Sequence, residues 1–126
     1  MRGLRAVATI AFAAGMAAGC AERPAETTAA PASRQTLDRG AVALHEYGCG
    51  SCHRIPGIAS ADGIVGPPLV DMRRRVYIGR GLPNTAPNLA RWIQAPQQFA
   101  PGSAMPDMHV SGSDAMAMSA YLLRRD

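Results

Sequence analysis

Within five positions, Cys49-Gly50-Ser51-Cys52-His53 sets two thiols beside an imidazole, and no other stretch of the chain restricts its fold as tightly. Two thiols three apart can add to the two vinyl groups of one haem and leave thioether bonds. The adjacent His then lies under the porphyrin and offers a ring nitrogen to iron, the C-x-x-C-H pattern of c-type haem attachment. Two other chemistries use the same atoms. Structural zinc needs four ligands, and outside this run the chain has only Cys20, His45 and His109, with no second C-x-x-C and no H-x-x-x-H. A thioredoxin-like dithiol belongs in a βαβ surround, which this Gly- and Pro-rich chain lacks. The motif therefore implies one covalent haem c, held by Cys49 and Cys52 with His53 as proximal iron ligand. Zinc and a redox dithiol are the alternatives.

The first residues are different material. Arg2 and Arg5 precede the apolar stretch 6–18, which has signal-peptide length and is short for a membrane span. It ends in Ala17-Ala18-Gly19-Cys20, which resembles the lipobox of bacterial lipoproteins, with Ala17 where such sequences usually carry Leu. That reading makes 1–19 a signal peptide and Cys20 an acylated mature N-terminus; the alternative is an ordinary cleavage site with Cys20 incidental. A stray thiol is a liability in an oxidising compartment, which favours acylation. Residues 21–35 are Ala, Pro, Thr and charge without periodicity and read as a flexible tether, about 50 Å long at ~3.3 Å per residue. Attachment of c-type haem takes place outside the cytoplasm, so a leader suits CGSCH. The expected location is the periplasmic side of a bacterial membrane, lipid-anchored, with a soluble periplasmic protein as the alternative.

Export also corrects the charge. The full chain is +4, but removing Arg2 and Arg5 leaves 11 arginines against nine acidic residues, a net +2. Two haem propionates would offset about that much. The balance points to no nucleic acid, and since the chain has no Lys, steering towards a partner rests on arginines.

The remaining domain, 36–126, is expected to be all-α: three main helices with long loops wrapped round one haem. A first helix starts at Thr36-Leu37-Asp38 and runs to about Tyr47, before Gly48. A second, 85–94, has Thr85 as cap, Pro87 in the first turn and Leu89, Trp92 and Ile93 on one face. A third follows the capping box Ser111–Asp114 and ends in arginines. No convincing strand run occurs. Loops as long as 54–84 and 95–110 are unusual in a compact domain, and below one hundred residues an apolar core is marginal. A large apolar prosthetic group is expected to fill the centre.

Function turns on the second axial position. An open iron face allows gas binding or peroxide chemistry; a filled one gives electron transfer. Met72, Met105, Met108, His109, Met116 and Met118 are available downstream. Met116 and Met118 sit in the last helix, where packing is the ordinary role, and Met72 adjoins Arg73-Arg74-Arg75, expected to be a solvated turn. Met105, in Pro101-Gly102-Ser103-Ala104-Met105-Pro106, lies on a loop stiffened by two prolines, 52 residues after His53. It is the expected distal ligand, with Met108 and His109 behind it.

Residues 36–126 resemble class I cytochrome c, especially the haem domains fused to subunit II of some bacterial terminal oxidases. Gly40 and Leu44 resemble the family's first-helix pair, and Ala120-Tyr121-Leu122 its last-helix AYL. The resemblance implies that these helices cross closely at the glycine. Gly66-Pro67-Pro68-Leu69 resembles the GPxL segment, whose Pro carbonyl accepts the proximal His N–H, a role that falls on Pro67. The run from Trp92-Ile93 to Pro101-Gly102 and Met105-Pro106 resembles WI…PGxxMP. It implies Met105 as distal ligand, Trp92 hydrogen-bonded to a propionate, and Arg75 or Arg80 offsetting its charge. Leu44 replaces a common aromatic, and Phe99-Ala100 stands where a Lys often precedes PG.

These features together imply a non-enzymatic, monomeric, membrane-tethered carrier of single electrons between redox protein partners, with a terminal oxidase as one possible acceptor. The alternatives are a fixed haem subunit of a respiratory complex and a five-coordinate haem sensor or peroxidase.

Overall fold

Ser33 decides where the folded domain starts. In the computed structural model, which describes residues 31–124, its hydroxyl accepts the Thr36 N–H at 3.2 Å, and helix α1 runs from Arg34–Glu46. Helix α1 thus begins two residues before the expected Thr36, because an N-cap serine satisfies one of the first turn's orphan donors. Helix α1 ends at Tyr47, and Gly48 turns the chain with φ 69°. The signal peptide, Cys20 and most of the tether lie outside the described residues.

Short elements follow. One 3₁₀ turn covers Cys49–Ser51 and another Met72–Arg74; strands β1 (Tyr77–Ile78) and β2 (Leu82–Pro83) form one antiparallel pair. Helix α2 (Ala86–Gln94) starts at Thr85, whose hydroxyl accepts the Asn88 N–H at 3.3 Å, and α3 (Pro96–Phe99) adds a single turn. Helix α4 (Gly112–Leu122) is capped by Ser111, which accepts from the Asp114 N–H at 3.1 Å. The described chain is mainly helical, and two strands of two residues each do not alter that class. The long loops are present, partly organised by the 3₁₀ turn, the β pair and α3.

Packing centres on α4, which contacts both α1 and α2. At the first crossing a Cβ added to Gly40 would lie 2.2 Å from the Ala117 carbonyl oxygen and 2.9 Å from the Tyr121 Cβ. A backbone atom cannot swing aside as a side-chain tip can, so only glycine permits this approach. Leu44 and Met118 are almost wholly buried beside it, with Tyr121 in the same core. Met116, on the opposite face of α4, is 46% exposed and does not share the packing role of Met118. Tyr121 donates its hydroxyl to the Pro56 carbonyl at 2.9 Å, so α4 also holds the loop after the CGSCH run.

Asp114 forms the polar seam between α1 and α4. It receives two hydrogen bonds from Arg39, at 2.9 and 2.8 Å, one from Ser111 at 2.7 Å and one from Tyr47 at 3.3 Å. The Ser111 hydroxyl, and then the Arg39 guanidinium, hold its carboxyl below the usual aspartate value.

Candidate functional site

The five residues CGSCH form one tight turn because Gly48 reverses the chain and the turn bonds itself. Ser51 N–H donates to the Gly48 carbonyl at 3.1 Å, and His53 N–H to the Cys49 carbonyl at 3.0 Å. Cys49 and Cys52 are unpaired thiols, and each residue is partly exposed. Burial pushes the Cys49 thiol up, the effect outweighing its backbone hydrogen bond. Among the described residues no group of three or more His, Cys, Asp or Glu side chains is arranged to hold a metal ion.

A second strand of backbone lies along the turn. Gly63 N–H donates to the Gly50 carbonyl at 3.0 Å, Gly66 N–H to Cys52 at 2.7 Å and Leu69 N–H to Arg54 at 2.8 Å. The approach is close: a Cβ on Gly63 would fall 2.5 Å from the Ser51 oxygen, and one on Gly66 would fall 2.3 Å from His53 Cε1. His53 Nδ1 sits 2.8 Å from the Pro67 carbonyl oxygen. A carbonyl only accepts, so Nδ1 carries the proton and Nε2 keeps its lone pair. Between these contacts Ile64 and Val65 stand 94% and 75% exposed, two branched apolar side chains left uncovered by the other described residues.

The six distal candidates separate by burial. Met72 and Met118 are 3% and 0% exposed within the apolar core. Met72 therefore departs from the expected solvated turn: Arg73 and Arg74 face water, but Met72 on the same 3₁₀ turn points inward. Met108 and Met116 are exposed, and His109, at φ 52°, has a side chain 91% exposed beside Asp107. Met105 is half-buried on a loop bonded at several points. Its N–H donates to the Ser103 hydroxyl at 3.2 Å, and its carbonyl accepts from Gln97 at 3.0 Å.

Trp92 is half-buried and packs on Gly79, where a Cβ would lie 2.3 Å from the indole. With Arg80 and residues 100–103 the two line a cavity of about 250 Å³. Arg75 is directed elsewhere: its guanidinium donates to the Pro68 carbonyl, next to the acceptor of His53. Of the two expected arginines, Arg80 shares a cavity with Trp92. A wider cavity of about 650 Å³ lies between Leu69, Met72, Arg73, Arg74 and Leu122; Cys49, Cys52, His53 and Met105 line neither.

Two contributors carry no signal in the sequence. Gln97 bonds the Met105 loop, and Asn84 donates to the carbonyls of Met72 and Arg75 at 2.6 and 2.8 Å, tying the arginine turn to the start of α2. Neither belongs to a motif, and polar side chains in loops are ordinary. The small residues at 63 and 66 had a readable sign, since glycine is the one residue that admits such backbone approach. Comparison of the chain with family models, curated proteins and solved structures gave no match.

Proposed function

We propose that this domain is a c-type cytochrome of the class I kind, carrying single electrons through one covalent haem. The observation that carries the reading is the pinned imidazole: His53 gives its Nδ1 proton to Pro67, keeps Nε2 free, and sits one residue from a reduced thiol and four from another. The residues fit the group they would hold. Gly66 leaves room for the ring, both cysteines are unpaired and partly exposed, and the exposed Ile64 and Val65 offer apolar surface beside the turn.

When bound, the haem supplies reversible one-electron chemistry at iron, and His/Met ligation raises its potential. Cys49 and Cys52 would fix it through their sulfurs. His53 would ligate through Nε2, its orientation and basicity set by the bond to Pro67. Met105 would close the other face, excluding exogenous ligands. Trp92 and Arg80 are suited to a carboxylate at their shared cavity, while Arg75 steadies the Pro67-Pro68 segment. The partners are redox proteins that give and take an electron outside the cytoplasm.

The test is spectroscopic. Exported from a host with c-type maturation, the protein is expected to keep its haem through acid-acetone extraction and to show the weak sulfur-to-iron charge-transfer band in the ferric state. Met105→Ala should retain the haem, lose that band and bind carbon monoxide when reduced; Met108→Ala and His109→Ala should match the wild type. Haem that washes out, or a wild type that binds carbon monoxide readily, would remove the electron-carrier reading.

A further inference from the structure

The loop that carries Met105 has little regular structure of its own to hold it. Residues 100–111 lie between α3 and α4, with Pro101, Gly102, Ala104 and Pro106 exposed and Gly102 in the left-handed region at φ 79°. One side chain spans it. Gln97 Oε1 accepts the Gly102 N–H at 3.0 Å, and Gln97 Nε2 donates to the Ser103 carbonyl at 2.7 Å and to the Met105 carbonyl at 3.0 Å. A single amide thus satisfies three backbone groups on both sides of the bend, using its acceptor and both of its donors. Gln97 itself is held by α3, whose start is the buried Pro96 and whose end packs Phe99 against Trp92 with centroids 6.5 Å apart.

We propose that Gln97 is a positioning residue for the distal ligand: it keeps the 101–105 loop closed, and so sets how readily Met105 leaves the iron. The inference rests on the reading of Met105 as that ligand. For an external ligand to displace Met105 the loop must open, and opening breaks all three bonds to Gln97 together. Gln97 is exposed, so each bond is worth the low end of the usual net range, and three of them amount to about tenfold in the opening equilibrium. Among the described residues the other side-chain bond to the backbone of 101–105 is Ser103 to the Met105 N–H, within the segment itself, while Gln94, Asp107 and Tyr47 bond the backbone only from residue 109 onwards.

The experiment uses the full chain with its haem attached and imidazole as the competing ligand. Gln97→Ala is expected to bind imidazole about tenfold more tightly in the ferric state and to exchange the Gly102 amide hydrogen about tenfold faster. Gln97→Glu keeps the acceptor for Gly102 but loses both donors at neutral pH. Relative to the wild type at each pH, a comparison that cancels protonation of imidazole itself, its affinity should be raised at neutral pH and fall part of the way back as the carboxyl protonates and regains one donor, a relative profile that a loss of packing alone would not produce. If the wild type shows the charge-transfer band and Gln97→Ala leaves imidazole affinity unchanged, the proposal is overturned while the cytochrome reading stands. Faster Gly102 exchange with unchanged imidazole affinity overturns it too, leaving Gln97 a loop-stabilising residue only. A wild type without the band overturns the ligand reading and the proposal's role for Met105, whereas Gly102 exchange still reports whether the amide holds the loop.

Discussion

His53 and Gly66 illustrate how much a single atom decides. The imidazole is oriented from one side by the Pro67 carbonyl and confined from the other by the backbone of Gly66. Replacing Gly66 by Ala would put a methyl group 2.3 Å from Cε1 and 2.5 Å from Nδ1. The ring would have to swing away from Pro67 or the backbone would have to move, a cost of about 1–3 kcal/mol by the usual scale of overpacking. Gly66→Ala is therefore expected to lower the denaturant midpoint without changing the slope, and to shift the His53 ring resonances. Unchanged ring resonances would show that Nδ1 is not held as described. That Pro67 lies fourteen residues from His53 yet accepts its proton was readable only through a resemblance. Nothing in the spacing alone requires it, whereas the donor set Cys49, Cys52 and His53 is evident from adjacent residues.

At the scale of elements, the helices start where short-range chemistry says they should. Ser33, Thr85 and Ser111 each accept an N–H three residues on, an interaction contained within four consecutive residues and worth about 1 kcal/mol per cap. The seam between α1 and α4 is different in kind: Arg39 and Asp114 are 75 positions apart and meet because Gly40 lets the helices cross closely. Asp114 has its pKa lowered in the fold, so its contribution is fully present above the ordinary aspartate value and is lost as pH falls through the lower, folded value. Thermal stability should therefore fall on acidification across that window, and Asp114→Asn should flatten this part of the profile while lowering stability at neutral pH. A variant with the same acid limb as the wild type would show that the stabilisation comes from elsewhere. Arg39→Met should reproduce part of the effect, because Ser111 is the larger cause of the shift.

For the whole of the described molecule, helices α1 and α2 pack on α4 while the chain between them runs mainly as loop. No helix among the described residues is long and apolar enough to cross a membrane. The expected lipid attachment is tested at Cys20, which lies outside them. If Cys20 is acylated, the protein should partition into the membrane fraction, and Cys20→Ser should release it or leave it unprocessed; a wild type recovered wholly in soluble periplasm would mark 1–19 as an ordinary signal. By itself the sequence determined what rests on neighbours along the chain: the caps of α2 and α4, the helical class, and a thiol–thiol–imidazole set within five residues. Only the tertiary structure decided which of six methionine and histidine candidates is half-buried on a braced loop, and that Met72 turns inward beside two exposed arginines. It also decided that Arg75 reaches Pro68, and that Gln97 spans the bend before Met105. The physical reason is range. A cap or the CGSCH run closes over a few consecutive residues, but burial and loop bracing depend on surfaces that come together only when α1 and α2 pack on α4.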